Sequence, residues 1–159
     1  MDELSAEAAE RGWLSERDAK RLLSAFGISV PSSGVAASPL EVEAAVSELT
    51  PPFAVKVMSQ DILHKSDIGG VRINLPDGAA ACATIEAMAA TPAIRDARVD
   101  GYLIEEMAPA GLEVVIGTVR DMQFGPMIMV GLGGVFVEVL ADVAFRICPI
   151  GEADARAML

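Results

Sequence analysis

A chain of 159 residues, 52% of them hydrophobic, has material for one ordinary domain or two small lobes, and its net charge of −11 argues against the basic surface that nonspecific binding to nucleic acid or anionic membrane requires. No uninterrupted apolar run of about 18 residues is present to span a bilayer, and the acidic start Met1-Asp2-Glu3-Leu4 lacks the basic region and apolar core of a secretory signal, so a cytoplasmic protein is expected. Cys82 and Cys148 stand far apart without a C-x-x-C or a ligand cluster, a spacing that predicts buried free thiols rather than a zinc site or disulfide.

Residues 1–12 are charged and alanine-rich and read as a lead-in or linker. Ser15 followed by Asp18 is a capping-box-like start, and Ala19, Leu22, Leu23 and Phe26 fall at helical spacing before Gly27 ends the helix. Ile28-Ser29-Val30 reads as a short strand stopped by Pro31, and Ser38-Pro39 opens a second helix to about Leu49. Phe53, Val55 and Val57 alternate with Ala54, Lys56 and Met58, which in a strand turns Lys56 away from the large apolar set. After a second apolar run, Val71 to Leu75, the turn Pro76-Asp77-Gly78 leads into a helix from about Ala79 to Ala90 with Ile85 and Met88 in the core.

Between those two strands lies Asp61-Ile62-Leu63-His64-Lys65-Ser66-Asp67-Ile68-Gly69-Gly70, a loop that carries the one histidine of the chain. A lone histidine is commonly an ordinary hydrogen-bonded residue, and a lone strand lysine is commonly an edge residue. The neighbours here suit phosphate chemistry. Lys65 and Ser66 can contact a phosphate, Asp61 or Asp67 can accept a ring N–H of His64, and Gly69-Gly70 give the backbone freedom of a moving loop. The chain has three lysines, Lys20, Lys56 and Lys65, and two of them flank or adjoin this loop.

From Gly101 the texture becomes β-rich, with strands expected at Tyr102–Met107, Glu113–Arg120, Met127–Val130 and Val135–Leu140. The division predicted is therefore 1–12 lead-in, 13–100 first lobe and 101–159 second lobe. Gly131-Leu132-Gly133-Gly134 is not a dinucleotide fingerprint, because Phe136 stands where the third glycine belongs and a strand-like run follows. No Walker loop is present; Gly133 and Gly134 instead suit a tight backbone turn close to phosphates. Arg120, Glu138, Asp142 and Arg146 lie around this turn in sequence and could supply charge to a nucleotide site or pair at the surface. The last segment, Gly151 to Leu159, has the acidic first turn of a helix but no stop signal, which reads as a fragment cut on its C-terminal side.

Val-Lys-Val at 55–57 followed by Asp-Ile-Leu-His-Lys-Ser-Asp-Ile-Gly-Gly-Val at 61–71 resembles the ATP-grasp part of the NDP-forming acyl-CoA synthetases, the group of ADP-forming acetyl-CoA synthetase, related to succinyl-CoA synthetase. The likeness continues through the motifs that begin at Gly101, Gly111, Arg120 and Gly131, and spans roughly residues 14 to 159. The resemblance implies an α/β two-lobe ATP-grasp fold, incomplete at its C-terminal side, with ATP/ADP and Mg2+ as cofactors. It implies a reversible acyl-CoA, phosphate and ADP reaction through a phosphohistidine, with His64 as the carrier and Lys56 on the nucleotide phosphates. Glu105 and Glu106 would lie near base and ribose, Glu113 would serve as a ribose or loop contact, and Glu138 and Asp142 are the residues expected to help hold metal. A CoA-binding domain or subunit with its own phosphohistidine is the implied partner. The rivals are a non-catalytic nucleotide-sensing module associated with an acetyltransferase or CoA-binding partner, and a purely structural subunit.

Overall fold

Alternation of apolar residues builds the first sheet, and the same alternation decides what its two faces carry. The computed structural model describes residues 14–134 and 143–159, which fall into two units, one ending at Ala108 and the other beginning at Pro109. The first unit contains α1 (Glu16–Ala25), β1 (Ser33–Ala36), a 3-10 turn (Pro39–Glu41), α2 (Val42–Val46), β2 (Phe53–Ser59), β3 (Val71–Leu75), α3 (Gly78–Ala90), α4 (Pro92–Arg95) and β4 (Val99–Glu106). Its four strands form an antiparallel sheet in the order β1-β4-β2-β3. One face of the sheet, with Val55, Val57, Tyr102 and Ile104, packs with Val42, Ala81, Ile85, Met88 and Ile94 into a single core. Ala81, Ile85 and Met88 recur at helical spacing along α3, whose first turn is capped by Asp77 accepting from the Ala80 N–H at 2.8 Å. The register places Lys56 beside Leu103 and Ala54 beside Glu105 on the other face.

Several details differ from the sequence pattern. Residues 28–30 are not a strand: the Ile28 N–H is spent on the Leu23 carbonyl and the Gly27 N–H on that of Ser24, closing α1 with Gly27 at φ +79°. The strand forms beyond Pro31, where Ser33–Ala36 meets β4 residues 102–105. The expected second helix divides into the 3-10 turn and α2 and stops at Val46, after which Ser47 donates back to the Ala44 carbonyl. Division of the chain falls after Ala108 rather than at 100, because β4 is hydrogen-bonded on both edges inside the first sheet. Cys82 and Cys148 are free but only half-buried, where full burial was the expectation.

The second unit has β5 (Val114–Asp121), β6 (Gly125–Leu132) and β7 (Val143–Ile147) in an antiparallel sheet of that order, followed by α5 (Glu152–Met158). At the β5–β6 turn the Asp121 carboxylate accepts the N–H groups of Gln123 at 2.7 Å and Phe124 at 2.8 Å, and these bonds hold its pKa below the usual value. β7 has no counterpart among the expected strands, and the strand expected at Val135–Leu140 lies outside the described residues. Among the described residues no helix is long and apolar enough to cross a membrane.

Candidate functional site

The face of the first sheet opposite the core holds a cluster of charge. Ser15 caps α1 by accepting the Asp18 N–H at 3.1 Å, which fixes Glu16 in the first turn and Lys20 one turn later, 3.0 Å from it. Strand alternation brings Lys56 and Glu105 to the same place. Lys56 pairs with Glu16 and, at 2.9 Å, with Glu105, while Lys20 also pairs with Glu105. Lys65, from the histidine loop, reaches the second Glu16 oxygen at 3.4 Å. All three lysines of the chain thus meet two carboxylates, and three ammonium charges against two leave one positive charge over.

Titration in the cluster follows from these contacts. Burial works to raise the Glu16 carboxyl, but hydrogen bonds from Lys56 and Lys20, reinforced by their charge, hold it down at about 2. Burial likewise works to lower the Lys56 ammonium, yet its bonds to Glu16 and Glu105 prevail and raise it. The Glu105 side chain is only 3% exposed, and Lys20 and Lys56 are the ionic partners that accompany its burial.

The histidine loop is pinned at both ends. At the start, Ile62 is buried in the core, and Arg98 grips the Asp61 carboxylate through its backbone N–H at 2.9 Å and its guanidinium at 3.1 and 3.3 Å. That grip lowers the Asp61 pKa, chiefly through the Arg98 side-chain hydrogen bonds. At the end, the Gly70 N–H donates to the Lys65 carbonyl at 2.7 Å and the Gly70 carbonyl accepts from Val57 at 2.9 Å. A Cβ on Gly70 would stand 2.6 Å from the Val57 side chain, so the approach requires glycine. Between the anchors Leu63 and His64 are exposed. His64 borders an open cavity of about 500 Å3 together with Glu16, Lys56, Lys65, Ser66 and Asp67.

Of the residues singled out in the sequence, Lys56, His64, Lys65, Ser66 and Asp67 therefore converge. Asp61 does not: its carboxylate faces Arg98, which leaves Asp67 as the acid of the loop that shares the cavity with His64. Glu105 and Glu106 separate because neighbours in a strand point to opposite faces, and Glu106 accepts the Thr50 N–H at 2.7 Å instead of joining the lysines. In the second unit the Glu113 backbone carbonyl accepts the Gly133 N–H at 2.7 Å, and Gly134, at φ +65°, completes a turn packed on the Glu113 side chain. Arg120 is exposed at the opposite end of β5, paired in register with Pro126. Glu138 and Asp142 lie outside the described residues, and among the described residues no three His, Cys, Asp or Glu side chains converge as a metal cage. Sequence reasoning missed Glu16 and Lys20, whose i, i+4 spacing on a capped helix was the available signal, and it missed Arg98.

A cationic cluster beside an exposed imidazole can hold an anion and accept a phosphoryl group. Comparison with known proteins gives the family. The family model described as ATP-grasp domain matches residues 5–159. The beta subunit of ADP-forming acetate–CoA ligase I of Pyrococcus furiosus is 42% identical over 95% of this chain, which spans 66% of that protein's length. The dinucleotide-forming acetyl-coenzyme A synthetase 1 of Ca. Korarchaeum cryptofilum, solved with coenzyme A, Ca-AMPCP and HgCl+, superposes with a TM-score of 0.88 at 40% identity, covering 98% of this chain and 70% of the other. The same enzyme with coenzyme A and Mg-AMPPCP, its phosphohistidine segment pointing towards the nucleotide-binding site, gives a TM-score of 0.77 at 37% identity, covering 98% and 68%.

Proposed function

We propose that this chain, which belongs to the ATP-grasp family, is the nucleotide-handling part of an ADP-forming acid–CoA ligase, with His64 as the phosphoryl carrier. The observation that carries the reading is the meeting of His64 with the lysine cluster at one cavity. The similar enzyme solved with Mg-AMPPCP has a phosphohistidine segment turned to its nucleotide site, which supports the same role for the loop at 61–70.

In the synthetic direction the reaction converts acyl-CoA, phosphate and ADP to acid, CoA and ATP. A CoA-binding partner domain or subunit forms a first phosphohistidine. One ring nitrogen of His64 attacks that phosphorus as the donor's P–N bond breaks, and the donor imidazole leaves with its electron pair. An oxygen of the ADP β-phosphate then attacks the phosphorus on His64, the new P–N bond breaks, and ATP forms. Lys56 and Lys20 offset charge on the nucleotide phosphates, while Lys65 and Ser66 contact the group carried by His64. Asp67, on the same loop and bordering the same cavity, is the acid that would accept the N–H of the ring nitrogen that does not react and so fix the tautomer. Magnesium would supply further charge neutralisation, and among the described residues no three His, Cys, Asp or Glu side chains converge as a cage for it.

Incubation of the chain with its partner, labelled phosphate, acyl-CoA and magnesium should place an acid-labile, base-stable label on this chain, assignable because His64 is its one histidine, and addition of ADP should move that label to ATP. His64→Asn should bind ADP but carry no label and form no ATP. ATP formation by that variant at the wild-type rate would overturn the reading.

A further inference from the structure

A helix, a strand and a loop each send a lysine to one carboxylate. One Glu16 oxygen takes Lys20 and Lys56, and the other takes Lys65, the residue that follows His64. We propose that Glu16 is a positioning residue that stands in the lysine cluster where a phosphate anion would stand and ties the His64 segment to α1 through Lys65, a tie released when a nucleotide phosphate draws Lys20 and Lys56 away. The inference rests on the reading of Lys56 as a phosphate-binding lysine.

Three features support it. First, the backbone of the loop is held at Asp61 and by the turn in which Gly69 and Gly70 donate to the Ser66 and Lys65 carbonyls, and the Lys65–Glu16 pair is the ionic contact described between this turn and α1. Second, the two acids of the cluster are unequal. Glu105 is in the middle of a sheet with 3% of its side chain exposed and cannot turn away, whereas Glu16 is in the first turn of a surface helix with 29% exposed. An arriving phosphate, with more oxygens and more charge than a carboxylate, would therefore displace Glu16 and leave Glu105 as the fixed counter-ion. Third, Glu16 and Lys65 line both the His64 cavity and a neighbouring one of about 480 Å3 that also borders Ser15, Ser59 and Gln60. The pair is a wall shared by the two spaces, and its opening gives the His64 segment room on the far side.

Hydrogen exchange on the full chain reads the tie without any turnover. Glu16→Gln keeps the shape of the side chain but loses its charge, and should speed exchange of the Gly69 and Gly70 amides, which donate to the Ser66 and Lys65 carbonyls, several-fold while β2 and β4 stay protected. Lys65→Gln cuts the same tie from the other end, leaves Lys56 with both acids, and should give the same result. If both variants keep β2 and β4 protected and exchange at Gly69 and Gly70 at the wild-type rate, the tie does not exist; should Glu16→Gln fail to fold, Lys65→Gln decides alone. For the release, Glu16→Gln should bind ADP about tenfold more tightly, since a competing anion has been removed, and weaker binding would show that Glu16 assists the ligand and would overturn the proposal. Lys56→Ala separates the two ideas. Loss of ADP affinity there supports the nucleotide reading whatever Glu16 does; unchanged affinity overturns the release, even where faster loop exchange upholds the tether.

Discussion

Lys56 illustrates how far a single residue can be read from sequence. One lysine among apolar neighbours at strand spacing is enough to put it on the face away from the core, and that is where it lies, half-buried. What cannot be read is its company, because Glu16 and Glu105 are 40 and 49 residues away and only the fold brings them within reach. Lys56→Ala should weaken ADP binding by about 1–3 kcal/mol, the range for a charge-assisted hydrogen bond, with calorimetry as the check. Glu16 supplies a pH signature. Its folded pKa lies near 2 against an ordinary 4.5, so its carboxylate stabilises the fold fully above the ordinary value, and that contribution is lost as pH falls from there toward 2. Glu16→Gln lacks this contribution at every pH. The gap in melting temperature between wild type and Glu16→Gln should therefore be widest above about pH 5 and close as the pH approaches 2; a gap that does not change with pH would show that the loss in the variant is one of shape and not of charge.

At the scale of elements, the pieces that announced themselves are those with strong internal signals. α3 has its Asp77 cap and apolar residues at 81, 85 and 88, and β2 has the large apolar Phe53, Val55 and Val57 at every second position. β1 was misplaced because its pairing with β4, and not its own composition, decides which residues extend. β7 is bounded by the turn residues Pro149 and Gly151, but its pairing shows only in its hydrogen bonding to β6. The packing of β1 on α2 depends on a feature that pattern reading cannot weigh. A Cβ on Gly34 would fall 2.0 Å from the Ala45 carbonyl oxygen, a backbone atom that can move only if α2 moves. Gly34→Ala should cost about 3 kcal/mol or more and lower the melting temperature, whereas a methyl at Gly111, where nothing lies within 4 Å, meets no such obstacle.

For the molecule as a whole, the motif string identified the family, and the match over residues 5–159 bears that out. The line between the units was harder to place. A β-rich texture begins at 101, but β4 belongs with strands made long before it, and long-range pairing leaves no local mark. That placement has a consequence for the order in which the first unit can be built. β4 lies between β1 and β2, so until residues 99–106 leave the ribosome, β1 has no partner strand and β2 is paired with β3 alone. Val55 and Val57 must wait for Tyr102 and Ile104 to complete their core. The sheet then closes in one late step of high contact order, a slow kind of event that leaves strand edges open meanwhile. Truncation after residue 98 should yield a chain with no cooperative melting transition, and truncation after Ala108 one that melts cooperatively. The last strand of the unit to be synthesised is the keystone of its sheet, so a nascent chain stalled just short of it is the form most in need of a chaperone.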